Sequence, residues 1–240
     1  FDHVAFNNLN ALRAAITEET AAVLVEPIQG EGGIAPADLS YLIALRETCD
    51  EFGILLIFDE VQCGVGRTGR LFAHQWADGA ADPDLMAVAK GIGGGFPLGC
   101  FMGTTRAMAG ISAGMHGTTY GGNPLASRIG CAVMDVMMQP GFLDRVYQVS
   151  NRLWDEMGAV VDANPHVYQL RRGAGLMQGV MITEPHTCGE IVARLRDEHH
   201  LLTVPAGQNV IRLLPPLVVS DAEIDQAVAA FAAVAAALKG

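Results

Sequence analysis

Short unbroken apolar runs alternate along the chain with longer stretches in which apolar residues recur every three or four positions. Residues 21–25, 55–58 and 85–89 are of the first kind. Runs apolar on successive positions read as strands buried on both faces of a parallel sheet. Between the first two lies a stretch, 36–52, in which Leu39, Leu42, Ile43, Leu45, Cys49 and Phe52 fall on one helical face. Gly53 stands where a C-terminal cap belongs. Asn8 opens an earlier amphipathic helix with Leu9, Leu12 and Ile16 on one face. Strand, helix and strand joined by short loops predict a right-handed parallel crossover. Residues 99–103 read as an edge or antiparallel strand, and a helix is predicted from Leu125 to about Met138.

The pattern changes after Pro140-Gly141. A helix is predicted over 142–163, strands near 167–171 and over 176–182, a helix over 188–199, and short strands over 201–204 and 210–214. Ser220 and Glu223 have the spacing of a capping box, and Ile224, Val228, Phe231 and Leu238 give the last helix its apolar face. The expected division is therefore 1–140, part of a larger α/β domain, and 141–240, a smaller α+β domain.

Each early strand ends in polar residues. The first runs into Glu26 and then Gln29-Gly30-Glu31, the second into Asp59-Glu60, the third into Lys90. Ligands of open α/β sheets bind outside the carboxyl ends of the strands. A desolvated amine there can attack an aldehyde, and a nearby carboxylate can keep a pyridine nitrogen protonated. A lysine Schiff base with a carboxylate on the pyridinium is the signature of pyridoxal phosphate. A helix-capping Asp and a solvated Lys would give the same local sequence. In the second part, Arg212 interrupts an apolar strand and needs a partner. Either it forms a structural ion pair or it binds a carboxylate bidentately.

Composition narrows the classes. Half of the 240 residues are hydrophobic and 17% are charged, which describes a globular chain. A net charge of −11 without any Lys/Arg run argues against nucleic-acid or anionic-membrane partners. The five cysteines form no CxxC pair, which excludes a zinc ribbon and fits a reducing, cytoplasmic setting. The longest apolar segment, 227–238, is too short to span a bilayer. No metal-ligand spacing is present.

A competing motif is Gly64-Val65-Gly66-Arg67-Thr68-Gly69, formally GxGxxG, with Asp84 twenty positions on. It would make the chain a nicotinamide-dependent oxidoreductase. Five residues separate the strand from the first glycine, and Gly79 and Pro83 break the segment after Gly69, so no clean helix N-terminus receives a pyrophosphate. By contrast, His116-Gly117-Thr118-Thr119-Tyr120-Gly121-Gly122-Asn123-Pro124 sets small hydroxyls among glycines, able to wrap a phosphate or to start a helix.

Taken together, EPIQGEGG (26–33), LIFDEVQCGVGRTG (56–69), AKGIGGGFPLG (89–99) and HGTTYGGNPLA (116–126) resemble the class III pyridoxal-phosphate aminotransferases. FDEVQCG with GRTG, and NVIRLLPPLVV (209–219), look like the branch acting on acetylornithine. The resemblance implies a fold type I enzyme, with part of a three-layer α/β/α large domain and a small C-terminal α+β domain. It implies that Lys90 carries the cofactor covalently and shuttles the proton as base and acid. Asp59 would pair with the pyridine nitrogen, and Gln62 would sit by the phenolic oxygen. Thr119, with Thr118, would reach the phosphate of the other subunit of a homodimer. Arg212 would hold the α-carboxylate of glutamate, Glu31 would pair with Arg212 when another amino donor binds, and Glu26 would be an acid near the site. The implied reaction is ping-pong transfer from N-acetylornithine to 2-oxoglutarate in arginine biosynthesis. Ornithine, succinylornithine and 4-aminobutyrate enzymes are the rival readings within the family. The chain also looks N-terminally truncated, lacking a phosphate loop, a ring-stacking aromatic and a distal-carboxylate arginine. The 240 residues alone are therefore expected to be weakly active, or an inactive fragment.

Overall fold

The computed structural model describes residues 1–207 and 209–239. In chain order it runs α1 (Leu9–Ala15), β1 (Ala22–Val25), β2 (Ile28–Gln29), β3 (Ala35–Pro36), α2 (Leu39–Phe52), β4 (Leu55–Asp59), β5 (Leu85–Val88), β6 (Cys100–Gly103), α3 (Thr105–Met108), α4 (Pro124–Met137) and α5 (Phe142–Ala163). It continues with β7 (Tyr168–Ala174), β8 (Met177–Ile182), α6 (Cys188–His199), β9 (Val204–Ala206), β10 (Val210–Leu213) and α7 (Asp221–Ala237). The chain divides into two units. The first comprises Phe1–Pro27, Ala37–Val65 and Arg70–Pro140. The second comprises Gly141–Gly240 together with two excursions, Ile28–Pro36 and Gly66–Gly69, which sequence alone places with the first.

In the first unit the sheet order is β1-β4-β5-β6, with β1, β4 and β5 parallel and β6 antiparallel. Burial alternates along β4: Leu56 and Phe58 are fully buried, and their neighbours are half-buried. The buried face, with Val23 and Met86, packs on Leu12 of α1 and on Tyr41, Leu42, Leu45 and Cys49 of α2. Removing a Phe or Leu side chain from water stabilises the fold by roughly 2 kcal/mol. The other face keeps Leu24 59% and Phe101 51% exposed. Burial on both faces, expected from the apolar runs, is thus met on one face only among the described residues, because α1 and α2 lie on the same side. Helix α2 starts at Leu39 rather than Pro36, since Pro36 pairs with Ile28 in the β2–β3 ribbon. It ends at Gly53 (φ +70), whose left-handed turn lets the Ile54 amide donate to the Cys49 carbonyl at 3.0 Å.

In the second unit β7, β8, β10 and β9 form an antiparallel sheet in that order. Val180, Ile182, Ile211 and Leu213 point to one face, in a core with Val149, Leu153 and Met157 of α5, Ile191 and Leu195 of α6, and Phe231 and Val234 of α7. Successive strand residues alternate sides, so Arg172, Gly179 and Arg212 face the other way. The capping box of α7 forms, with Ser220 and Glu223 satisfying each other's backbone amides. Strand β9 begins three residues later than expected. His200 closes α6 in the left-handed region, and the Leu201 amide still bonds back to the Leu195 carbonyl at 2.9 Å, so this stretch terminates the helix instead of extending a sheet.

Candidate functional site

Parallel strands bring their carboxyl ends to one edge of the sheet. Asp59 closes β4 and is the register partner of Ala87 in β5, and Lys90 follows β5 directly. Glu26 stands at the same end of β1. Acid and amine thus leave the sheet from adjacent strands in the same direction. The Asp59 carboxylate is half-buried and accepts the Val61 amide at 2.9 Å. Lys90 is exposed and opens a tight turn, Lys90–Gly93, with φ +50. A non-glycine residue there is strained, and such strain clusters at functional sites. The turn is seated on Val65: a Cβ on Gly91 would lie 3.2 Å from Val65 Cβ. Gln62 lies in the turn after β4, half-buried. Thr118 and Thr119 lie on an exposed stretch outside helix and strand.

Glu60 behaves differently from its neighbour. It is fully buried and accepts the Ala73 amide at 2.7 Å, the His74 amide at 2.9 Å and His74 Nδ1 at 2.9 Å. That carboxylate is consumed in pinning the segment after the turn. Asp84, the acid of the dinucleotide reading, is consumed too. It accepts the Leu56 amide at 2.9 Å, Arg46 at 2.8 Å and Arg106 at 2.7 Å. Burial alone would raise its pKa. The Leu56 amide, Arg106 and Arg46 outweigh that and hold the group at about 2. The 64–69 segment runs in turns and opens no α-helix, and a Cβ on Gly64 would lie 2.6 Å from the Glu60 carbonyl oxygen. A ribose and pyrophosphate have neither an available acid nor a helix N-terminus here, so the oxidoreductase reading fails.

In the second unit Arg212, 7% exposed, meets Glu31: Nη1 donates to Oε1 at 2.5 Å. The Glu31 side chain is 78% exposed, so the arginine is the fixed partner and the acid the accessible one. Sequence reasoning brought this pair into view through the arginine inside a strand. It missed two other arginines of the same unit. Arg67 donates to the Leu176 and Pro215 carbonyls and receives the Leu176 amide on its own carbonyl, and burial pulls its pKa down to about 10. Arg172 donates through Nε to the Gly33 carbonyl at 2.5 Å, its pKa also lowered by burial. Arg67 stood within the quoted GRTG stretch, which gave no hint of its partners, and Arg172 carried no signal beyond its charge.

A family model described as aminotransferase class-III matches residues 2–235. The acetylornithine aminotransferase of Mesorhizobium japonicum is 54% identical over 227 residues, covering 95% of this chain and 56% of that protein. The acetylornithine aminotransferase of Rhodobacter capsulatus is 51% identical over 239 residues, covering 100% of this chain and 60% of that protein. Among solved structures, N-acetylornithine aminotransferase from Stenotrophomonas maltophilia superposes with a TM-score of 0.88 at 34% identity, over 99% of this chain and 62% of that one. The chain therefore spans less than two thirds of the length of these relatives.

Proposed function

The chain belongs to the class-III aminotransferases, and from that premise we propose that it is the lysine-bearing part of a pyridoxal-phosphate enzyme moving an amino group from N-acetylornithine to 2-oxoglutarate. The observation that carries the reading is the register of β4 and β5, with Asp59 beside Ala87 and Lys90 just beyond. The donor set fits the cofactor: an accessible amine for its aldehyde and a half-buried carboxylate for its ring nitrogen. When bound, the cofactor supplies an electron sink for the pair left as the substrate Cα loses its proton. Lys90 Nζ would take the proton from the substrate Cα and hold it for return, as base and then acid. The Asp59 carboxylate would keep the ring nitrogen protonated, and the Gln62 amide would donate to the phenolic oxygen. Glu26 adds a further carboxylate at the same sheet edge.

Arg212 binds the α-carboxylate of glutamate or 2-oxoglutarate, and Glu31 neutralises Arg212 while the other donor reacts. Thr118 and Thr119 hold the phosphate of a second copy in a homodimer, which their exposure permits. Residues 1–140, apart from Ile28–Pro36 and Gly66–Gly69, act as the cofactor-binding part, 141–240 with those two excursions as the smaller domain, and the setting is the cytoplasm. The test is a half-reaction on the cofactor-loaded protein. Glutamate is expected to yield 2-oxoglutarate once per site, and the rate falls about 100-fold or more in Asp59→Asn. Equal rates in the two loaded proteins would defeat the reading.

A further inference from the structure

Gly179 of β8 is flanked by two arginines. Arg172 of β7 and Arg212 of β10 are both its register partners. Directly opposed residues of antiparallel strands project to the same side, so the two side chains stand on one face with a gap between them. Ile34 fills that gap. A Cβ on Gly179 would lie 3.0 Å from Ile34 Cβ, and Ile34 has no exposed surface. Ile34 is β-branched yet has φ +56, a conformation that persists only where its surroundings fix it. The loop it belongs to is tied to the sheet unit at two backbone points besides: Arg172 Nε donates to the Gly33 carbonyl at 2.5 Å, and the Gly207 amide donates to the Glu31 carbonyl at 3.2 Å. Gly33 (φ +94) has no room for a side chain, since a Cβ would lie 2.5 Å from Arg172 Nη2 and 2.7 Å from the Gly207 carbonyl oxygen.

Given Arg212 as the carboxylate-binding arginine and Glu31 as its alternate partner, as proposed above, we infer that Arg172 is a positioning residue for specificity. It clamps the backbone of the Glu31 loop on the sheet, so only the exposed Glu31 side chain moves when Arg212 changes partner. Glu31 and the substrate carboxylate compete for one guanidinium, and the loop position sets how well Glu31 competes. Loosening Arg172 weakens Glu31 in that contest and favours the dicarboxylate.

Two measurements on Arg172→Gln, Arg172→Lys, Glu31→Gln and the Arg172→Gln/Glu31→Gln double variant test this. Hydrogen exchange at the Gly33, Ile34 and Gly207 amides is expected to quicken about tenfold or more in Arg172→Gln, with Val180 and Ile211 unchanged. In the loaded protein, the ratio of kcat/KM for glutamate to that for N-acetylornithine is expected to rise about fivefold in Arg172→Gln and in Glu31→Gln, without a further rise in the double variant. Arg172→Lys is expected to restore part of the original ratio. A ratio that shifts in Glu31→Gln but not in Arg172→Gln, or loop amides that keep their protection, overturns the role of Arg172. A ratio unmoved by Glu31→Gln overturns the reading of Glu31 itself, and the role of Arg172 with it. Exchange that quickens across the whole sheet would mark Arg172 as a general stabiliser and contradict the inference.

Discussion

The two units hold their chemistry in opposite ways. At the sheet edge of the first, Asp59 and Lys90 are placed by backbone register alone, and their side chains remain half-buried or exposed. On the sheet of the second, Arg212 is buried and already engaged with a carboxylate, over a loop clamped by Arg172. A half-buried acid and an exposed amine at one sheet edge are accessible to a ligand. An engaged arginine can take a substrate carboxylate only by exchanging it for the one it holds, which is the basis of the selector role proposed above. The contrast also separates adjacent residues: Asp59 is half-buried with one backbone amide on its carboxylate, while Glu60 is fully buried and holds the Ala73 and His74 amides.

Breaking the open edge should cost activity and not stability. Lys90→Ala is expected to lower transamination by about 10³-fold or more, with an unchanged urea midpoint. Kinetics with N-acetylornithine and a denaturation curve check both halves. Breaking the structural acid should do the reverse. Glu60→Ala strands the Ala73 and His74 amides and His74 Nδ1, and is expected to cost about 3 kcal/mol in urea unfolding. Asp59→Asn should cost well under about 1 kcal/mol in the same assay, as a half-exposed group with one backbone contact.

Asp84 sharpens the same distinction through pH. Its pKa is depressed to about 2, so its contribution is present above the ordinary Asp value and is lost as pH falls toward 2. That contribution is about 2 kcal/mol. Stability measured between pH 5 and pH 2 should drop less steeply in Asp84→Asn than in the parent protein. A small effect is expected at Gly53→Ala, about 1 kcal/mol, arising only from the left-handed φ because nothing lies within 4 Å of the added Cβ. A larger loss there would mean that the end of α2 depends on contacts beyond its cap.

Much of this was legible because strand ends announce themselves. An apolar run that stops at Asp59 or Lys90 needs no tertiary knowledge to locate, and Gly53 and the Ser220–Glu223 box mark helix ends in the same local way. Local sequence alone did not separate Asp59 from Glu60; the family resemblance singled out Asp59, and the packing of one face of β4 supplies the physical reason they differ. Alternation then puts Glu60 with Leu56 and Phe58 in the core, and Asp59 on the other side. Arg172 and Gly179 were invisible because their meaning lies in register across three strands. The excursions Ile28–Pro36 and Gly66–Gly69 were missed for a related reason, since chain neighbours gave no hint that they pack with residues more than a hundred positions away.

The central claim is that Lys90 carries the cofactor, and the sequence makes that simple to test because the chain has only two lysines, Lys90 and Lys239. Pyridoxal phosphate would be added to the purified protein, the complex reduced with borohydride, and the modified peptide identified by mass. The account predicts a single pyridoxyl group on Lys90 and a loss of labelling in Lys90→Ala. Label on Lys239 or on the amino terminus, or label undiminished in Lys90→Ala, would contradict it.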